Sequence, residues 1–409
     1  LDNIIQTYIK RFAFQKQFFH EFKPAYINIV IPSYCEEGLL QALQSLDSCE
    51  GCMEKANVVV VLNHPENDIE AERYHHQQLE ILQKFSSEKF NFYALKAALP
   101  VKDAGVGLAR KVGMDEVVRH CEIKDLDAWL ICLDADCTVS KNYLRELFRL
   151  KDNSSVENVT LYFEHPYEKE GDEILRSGII FYELFLRYYK NALEYIQYPH
   201  AHYTVGSCMG TRINNYIKSG GMNKRKAGED FYFLGKLFIY GQTTELNRLT
   251  VYPSCRVSQR VPFGTGKAQS KFKLNPDWQY PTYHYGIFEI LKDFFCQIQP
   301  GKSFDTYEFH PLLRPFLKNI HFDKLLKEVH DNSSSERTFF KRFFQKVDIF
   351  FVLKAVHFLR NNGLSDLPVM QSMENLFGLK GKSPEDVLDI LRKKEKSGTG
   401  NDDFLSHSK

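Results

Sequence analysis

The sequence predicts an α/β fold, a mixed and mostly parallel sheet flanked by helices on both faces. Three observations carry that expectation. Short apolar runs recur between polar helical stretches from Ile27 to Leu133. The runs are rich in Val and Ile and lack polar alternation, as strands buried on both faces do. The strand–helix alternation repeats four times before it loosens, the pattern of a parallel sheet joined by crossover helices.

The elements follow in order. Ile4, Ile5, Tyr8, Ile9 and Phe12 have helical spacing, so residues 4–22 read as an amphipathic helix within an N-terminal segment, 1–24. Such a helix packs on the domain or rests peripherally on a membrane surface. Residues 27–32 form a strand ended by proline, and 37–49 a helix. A second strand at 57–63, a long polar helix at 68–86 and a third strand at 90–95 come next. Helix 105–121 and strand 128–133 complete the regular part. After Leu150, strands are expected at 159–163, 203–212 and 246–251, with helices at 172–195 and 229–240. Beyond Lys271 the chain reads as mainly helical, at 288–295, 339–359 and 384–394. The predicted organisation is therefore a domain at 25–270, a helical region at 271–396 and a polar, disordered tail at 397–409.

Composition narrows the function classes. Lys plus Arg is 53 and Asp plus Glu is 52, a formal charge of +1, which argues against bulk binding to nucleic acid. Nine scattered cysteines make no disulfide framework and fit a reducing, cytoplasmic setting. Cys49 and Cys52 have redox or zinc spacing, but without a second pair they read as free thiols in a turn. There is no secretory leader and no uninterrupted run of 18 apolar residues, so no transmembrane helix is expected. His200, His202 and His284 read as packed or solvated rather than as ligands, and the aromatic stretch 181–195 as core.

Four local patterns carry chemistry. Asp134-Ala135-Asp136 ends the apolar run from Ala128 to Leu133. Two carboxylates at the end of a buried strand are costly unless they meet a cation, and the carboxyl end of a parallel strand is where open α/β sheets bind ligands. The pair is expected to hold a divalent metal, a hard cation that prefers oxygen ligands and leaves positions open to phosphate; capping of the following helix is the alternative. Pro32-Ser33-Tyr34-Cys35-Glu36 lies at the equivalent end of the first strand. Gly105-Val106-Gly107 opens the helix that carries Arg110. Last, Gly220-Gly221-Met222 leads through Asn223-Lys224-Arg225-Lys226 to Glu229-Asp230 at the start of an apolar helix, preceded by Gly206-Ser207-Cys208-Met209-Gly210.

In this order and spacing the four patterns resemble a family 2 glycosyltransferase of the GT-A fold, over residues 25–265. The resemblance implies an inverting, metal-assisted transfer of a sugar from a nucleoside diphosphate to a hydroxyl of a glycan, lipid or small acceptor. Pro32, Tyr34 and Glu36 would contact the base and ribose, and Arg110 would lie near the donor nucleotide. Asp136 would ligate Mg2+ or Mn2+, with Asp134 on the ribose or a metal-bound water. Asp230 would be the general base and Glu229 would orient the acceptor. Asn63 stands where the family usually has Asp, which leaves the base open. The segment from Arg256 to Lys267 would cover the diphosphate, with Arg260 as a donor contact; here Gln259-Arg260 is not followed by the family's Trp. A nucleotidyltransferase with a similar sheet, and a non-catalytic nucleotide-sugar or carbohydrate-binding protein, are the rival readings. The first is disfavoured by a first turn poor in Gly, Lys and Arg. The second is disfavoured by the intact carboxylates.

Overall fold

The protein is described by a computed structural model covering residues 2–258, 264–275 and 278–398. The chain divides into two compact units. The first comprises Leu1–Lys169 and Thr204–Lys267, the second Glu170–Tyr203 and Ala268–Lys409.

The first unit opens with α1 (Asp2–Arg11), shorter than the helix expected over 4–22. The difference has a physical cause. Phe12 and Ala13 still donate to the Tyr8 carbonyl, but beyond them the amides of Phe14, Phe18 and Phe19 go to side chains of another helix, α4 (Val106–Arg119). Asp115 accepts the Phe14 amide at 2.7 Å, and Glu116 accepts those of Phe18 and Phe19 at 3.0 and 2.7 Å. Tyr8 anchors the same segment by donating its hydroxyl to Asp115 at 2.6 Å.

Then come β1 (Ile27–Ser33), α2 (Leu39–Asp47), β2 (Ala56–Pro65), α3 (Ile69–Leu82), β3 (Phe90–Leu99) and α4 (Val106–Arg119). They are followed by β4 (Trp129–Cys132), β5 (Thr138–Val139), α5 (Tyr143–Phe148) and β6 (Asn158–Phe163). The chain next enters the second unit with α6 (Glu173–Tyr195) and returns through β7 (Met209–Arg212), α7 (Ile213–Lys218), α8 (Glu229–Tyr240) and β8 (Thr243–Tyr252).

The fold class is the one the sequence predicts: one eight-stranded mixed sheet of order β3-β2-β1-β4-β7-β6-β8-β5, flanked by helices. β3, β2, β1 and β4 run parallel, as do β6 and β8, whereas β7 pairs antiparallel with β4 and β6 and β5 antiparallel with β8. Every position of β1, β4 and β6 is buried, which is why their apolar runs are continuous. Register is fixed by a polar ladder that runs from buried Asn28 and Asn57 out to exposed Asn91: Asn57 donates to Asn28 at 3.0 Å and Asn91 to Asn57 at 3.0 Å, across three neighbouring strands.

In the second unit, α9 (Thr265–Leu274) leads in from the first. The short strands β9 (Pro281–Thr282) and β10 (Leu367–Pro368) pair antiparallel. The helices are α10 (Tyr285–Gln297), α11 (Arg314–Asn319), α12 (Phe322–Asp331), α13 (Glu336–Lys346), α14 (Ile349–Asn361), α15 (Val369–Phe377) and α16 (Pro384–Ser397). The helical run expected over 339–359 is two helices because Asp348 caps the second, accepting the amides of Phe350 and Phe351 at 3.0 and 2.9 Å. Phe294, Phe322 and Phe351 pack ring against ring at 5.4–6.1 Å. Long-range ion pairs tie α16 to α6: Arg392 donates to both oxygens of Glu183 at 2.8 and 2.9 Å, and Arg187 pairs with Glu183 and Glu395. Tyr203 donates to Glu395 at 2.6 Å. The α6 helix, inside the 25–270 stretch of the sequence, thus belongs to the C-terminal unit. No helix among the described residues is long and apolar enough to cross a membrane.

Candidate active site

The site is built at the carboxyl ends of β1 and β4, where side chains leave the sheet instead of continuing its ladder. β1 leads into Tyr34-Cys35-Glu36, and α3 holds that turn at three successive residues. The Tyr34 hydroxyl donates to Asp68 at 2.7 Å, the Cys35 amide donates to His75 Nε2 at 3.1 Å, and Gln78 donates to the Glu36 carbonyl at 2.9 Å. Asp68 itself caps α3 by accepting the Ala71 amide at 3.0 Å. Behind the turn His75 Nδ1 lies 3.2 Å from His64 Nδ1. His64, just past the strand expected at 57–63, is a buried residue of β2, because β2 runs two residues beyond that strand and His64 pairs there with Ala98. Asn63 is buried beside it and Pro32 lies within buried β1.

Glu36 is buried and accepts the Gly38 amide at 2.9 Å. Arg256 clasps its carboxylate, with Nη1 at 2.7 Å from Oε1, and the same guanidinium reaches Asp136 at 3.3 Å. Arg256 therefore bridges the β1 turn and the Asp-Ala-Asp segment. A second arginine does the corresponding work on the other side. Arg110, fully buried on α4, pairs with Asp134 through Nη2 and with Glu229 through Nη1. Gly206 makes room for it: a Cβ there would lie 2.5 Å from Arg110 Nη2. Burial works against the Arg110 charge, but Asp134 and Glu229 hold its proton more firmly than usual.

The structure thus brings together Glu36, Arg110, Asp134, Asp136 and Glu229, with Asp230 beside Glu229 in the first turn of α8. Five carboxylates and two arginines leave an excess of negative charge. Burial, and then neighbouring Asp134, push the Asp136 carboxyl up to about 6. Burial pushes Glu229 up to about 7, with Arg110 opposing and Asp230 reinforcing the shift. Burial also raises Asp230, whose Oδ1 accepts the Phe231 amide at 2.8 Å.

Asp134, Asp136 and Cys137 place ligand atoms within 4.8 Å of one another. The two carboxylates fit a hard divalent cation. Cys137 does not, because burial pushes its thiol well up and keeps it protonated. Arg260, expected at the donor, lies with residues 259–263 outside the described residues.

Sequence reasoning missed His75, Gln78 and Asp68 as supports of the β1 turn, and Gly206 as the space for Arg110. His75 is 40 residues from Cys35, and no local pattern joins them. The period of α3 was the one usable signal: Asp68, His75 and Gln78 fall on neighbouring turns of a helix otherwise read only as polar.

No protein-family model matches the chain, and no curated protein matches it. Among solved structures it is similar to S. aureus TarS 1-349 in complex with UDP-GlcNAc, at 13% identity over 85% of this chain and 91% of that one, with a TM-score of 0.41. It is also similar to the mannosyltransferase PcManGT from Pyrobaculum calidifontis in complex with GDP-Man and Mn2+, at 11% identity over 96% of this chain and 90% of that one, with a TM-score of 0.36. Likeness at this distance bears on fold alone and says nothing of substrate.

Proposed function

We propose that the protein is an inverting glycosyltransferase that moves a sugar from a nucleoside diphosphate to an acceptor hydroxyl. The observation that carries this reading is the convergence of Glu36, Asp134 and Asp136 with Glu229 and Asp230 at one sheet edge, joined by Arg110 and Arg256. Such an edge is where open α/β sheets take nucleotides. Pro32, Tyr34 and Asn63 line the base and ribose side, with Glu36 at the turn. Asp134 and Asp136 would hold Mg2+ or Mn2+, which when bound neutralises charge on the departing diphosphate.

The acceptor oxygen attacks the anomeric carbon from the face opposite the diphosphate. The new C–O bond forms as the bond to the diphosphate oxygen breaks, so configuration inverts. Asp230 takes the acceptor proton, a role suited by a carboxyl that burial makes more basic than usual. Glu229, fixed by Arg110, orients the helix start that presents Asp230.

Calorimetric titration with UDP, GDP and CDP, each with and without Mn2+, tests the reading. Binding of one nucleotide that requires the metal supports it. Folded protein that binds none of the three overturns it.

A further inference from the structure

Next to the proposed acceptor side lies a basic segment that this mechanism does not use. Lys224, Arg225 and Lys226 are consecutive and exposed, and none forms an ion pair among the described residues. The Arg225 guanidinium lies 3.6 Å from the ring centroid of Tyr232, two residues beyond Asp230 and itself exposed. Lys226 donates to the Val101 carbonyl at 3.1 Å.

Solvated charge runs usually sit on free loops, but this one is pinned to the site. A Cβ on Gly107 would come within 2.4 Å of the Arg225 carbonyl oxygen and 2.8 Å of Glu229 Cβ, so the loop rests on α4 less than one turn before Arg110. Its other end is held by Lys236, which donates to the Gly221 and Ser219 carbonyls at 2.7 and 3.2 Å. The loop backbone is fixed while its cations have no carboxylate partner among the described residues. Asp134 and Asp136 lie on the donor side, and the cationic rim lies beside Asp230, where the acceptor enters.

Resting on the transferase reading, we propose that the acceptor is anionic, bearing phosphate, sulfate or carboxylate groups that Lys224, Arg225 and Lys226 recognise next to the hydroxyl presented to Asp230. Arg225 on Tyr232 forms a flat platform with its guanidinium edge free to pair with an oxyanion, and the two lysines add charge without demanding one geometry.

The experiment measures binding of dextran sulfate against dextran, and of phosphatidylglycerol vesicles against phosphatidylcholine vesicles, in the full chain without nucleotide. Wild-type protein should prefer at least one charged probe, and added salt should weaken that preference. K224Q/R225Q/K226Q should lower that affinity roughly tenfold or more, from three exposed charges of modest individual effect. R337Q/K341Q/R342Q, which neutralises three exposed cations on α13, should leave it unchanged. K224Q alone, at a side chain with no recorded partner, should give a smaller loss in the same direction and guards against misfolding of the triple variant. Loss confined to the polymer or to the vesicle names the carrier. Equal loss in the α13 control, or no loss in the triple variant, overturns the proposal. So does a parallel loss of nucleotide affinity in the triple variant, which would assign the cations to the donor diphosphate. Because the charged probes are read without nucleotide, failure of nucleotide binding by wild-type protein sinks the transferase reading separately.

Discussion

His75 Nε2 accepts the amide of Cys35 at 3.1 Å, and Cys35 has a left-handed backbone, φ 46°. That bond settles the protonation of two rings. With Nε2 accepting, neutral His75 carries its proton on Nδ1 and donates it to His64 Nδ1 at 3.2 Å. A second proton on His75 would turn a buried acceptor into a donor facing an amide donor.

Burial accordingly pushes His75 down from 6.5 to about 4. A histidine depressed in the folded state contributes stability that is complete above 6.5 and is lost as pH falls towards 4. Asp136 and Glu229, raised into the same window, add stability there as pH falls, so the His75 part is read as a difference: relative to His75→Gln, wild type should lose on the order of 2–3 kcal/mol towards pH 4 in urea unfolding. Parallel curves for the two proteins would remove His75 as a contributor.

Arg110 neutralises two acids that nothing else reaches as closely. Arg110→Met should destabilise the first unit by about 3–5 kcal/mol, because Glu229 would be left buried and uncompensated. Arg110→Met with Glu229→Gln should recover part of that loss. A double variant no better than the single one in urea unfolding would show that Arg110 acts by packing alone.

Asp136 and Asp230 separate binding from chemistry. Asp136→Ala should abolish metal-dependent nucleotide binding in calorimetry. Asp230→Asn should keep nucleotide binding and lower turnover by roughly 10²–10⁴-fold. Unchanged binding in the first, or near-normal turnover in the second, withdraws the corresponding role.

Arg256 occupies one face of Asp136 at 3.3 Å, so an incoming cation has to compete with it. Arg256→Ala should tighten Mn2+ binding to the nucleotide-free protein several-fold, read by titration of free Mn2+. Weaker binding would mean that Arg256 organises the carboxylates rather than competing for them.

Much of the first unit was legible because its strands are buried on both faces, and their continuous apolar runs leave a clear signal. The carboxylates were legible for the opposite reason, since Asp134 and Asp136 stand where an apolar run stops and Glu229 and Asp230 where one begins. The supports of the site were not. His75 on Cys35, Arg256 on Glu36 and Gly206 against Arg110 are contacts between distant segments that only the folded sheet creates. The second unit hid its organisation in the same way: α6 reads as one aromatic helix, and nothing local says that its partner is α16.

The α6–α16 ion pairs also set a timetable for synthesis. Glu183 and Arg187 emerge 209 and 208 residues before Arg392 and Glu395. At ~5–20 residues per second, α6 waits roughly 10–40 s for the groups that complete its inner face. Through that interval Glu183 and Arg187 have only each other on α6, and the face that carries them cannot close. The C-terminal unit is thus a late product of translation, whereas the sheet strands β1 to β4 can assemble while the ribosome is still at work.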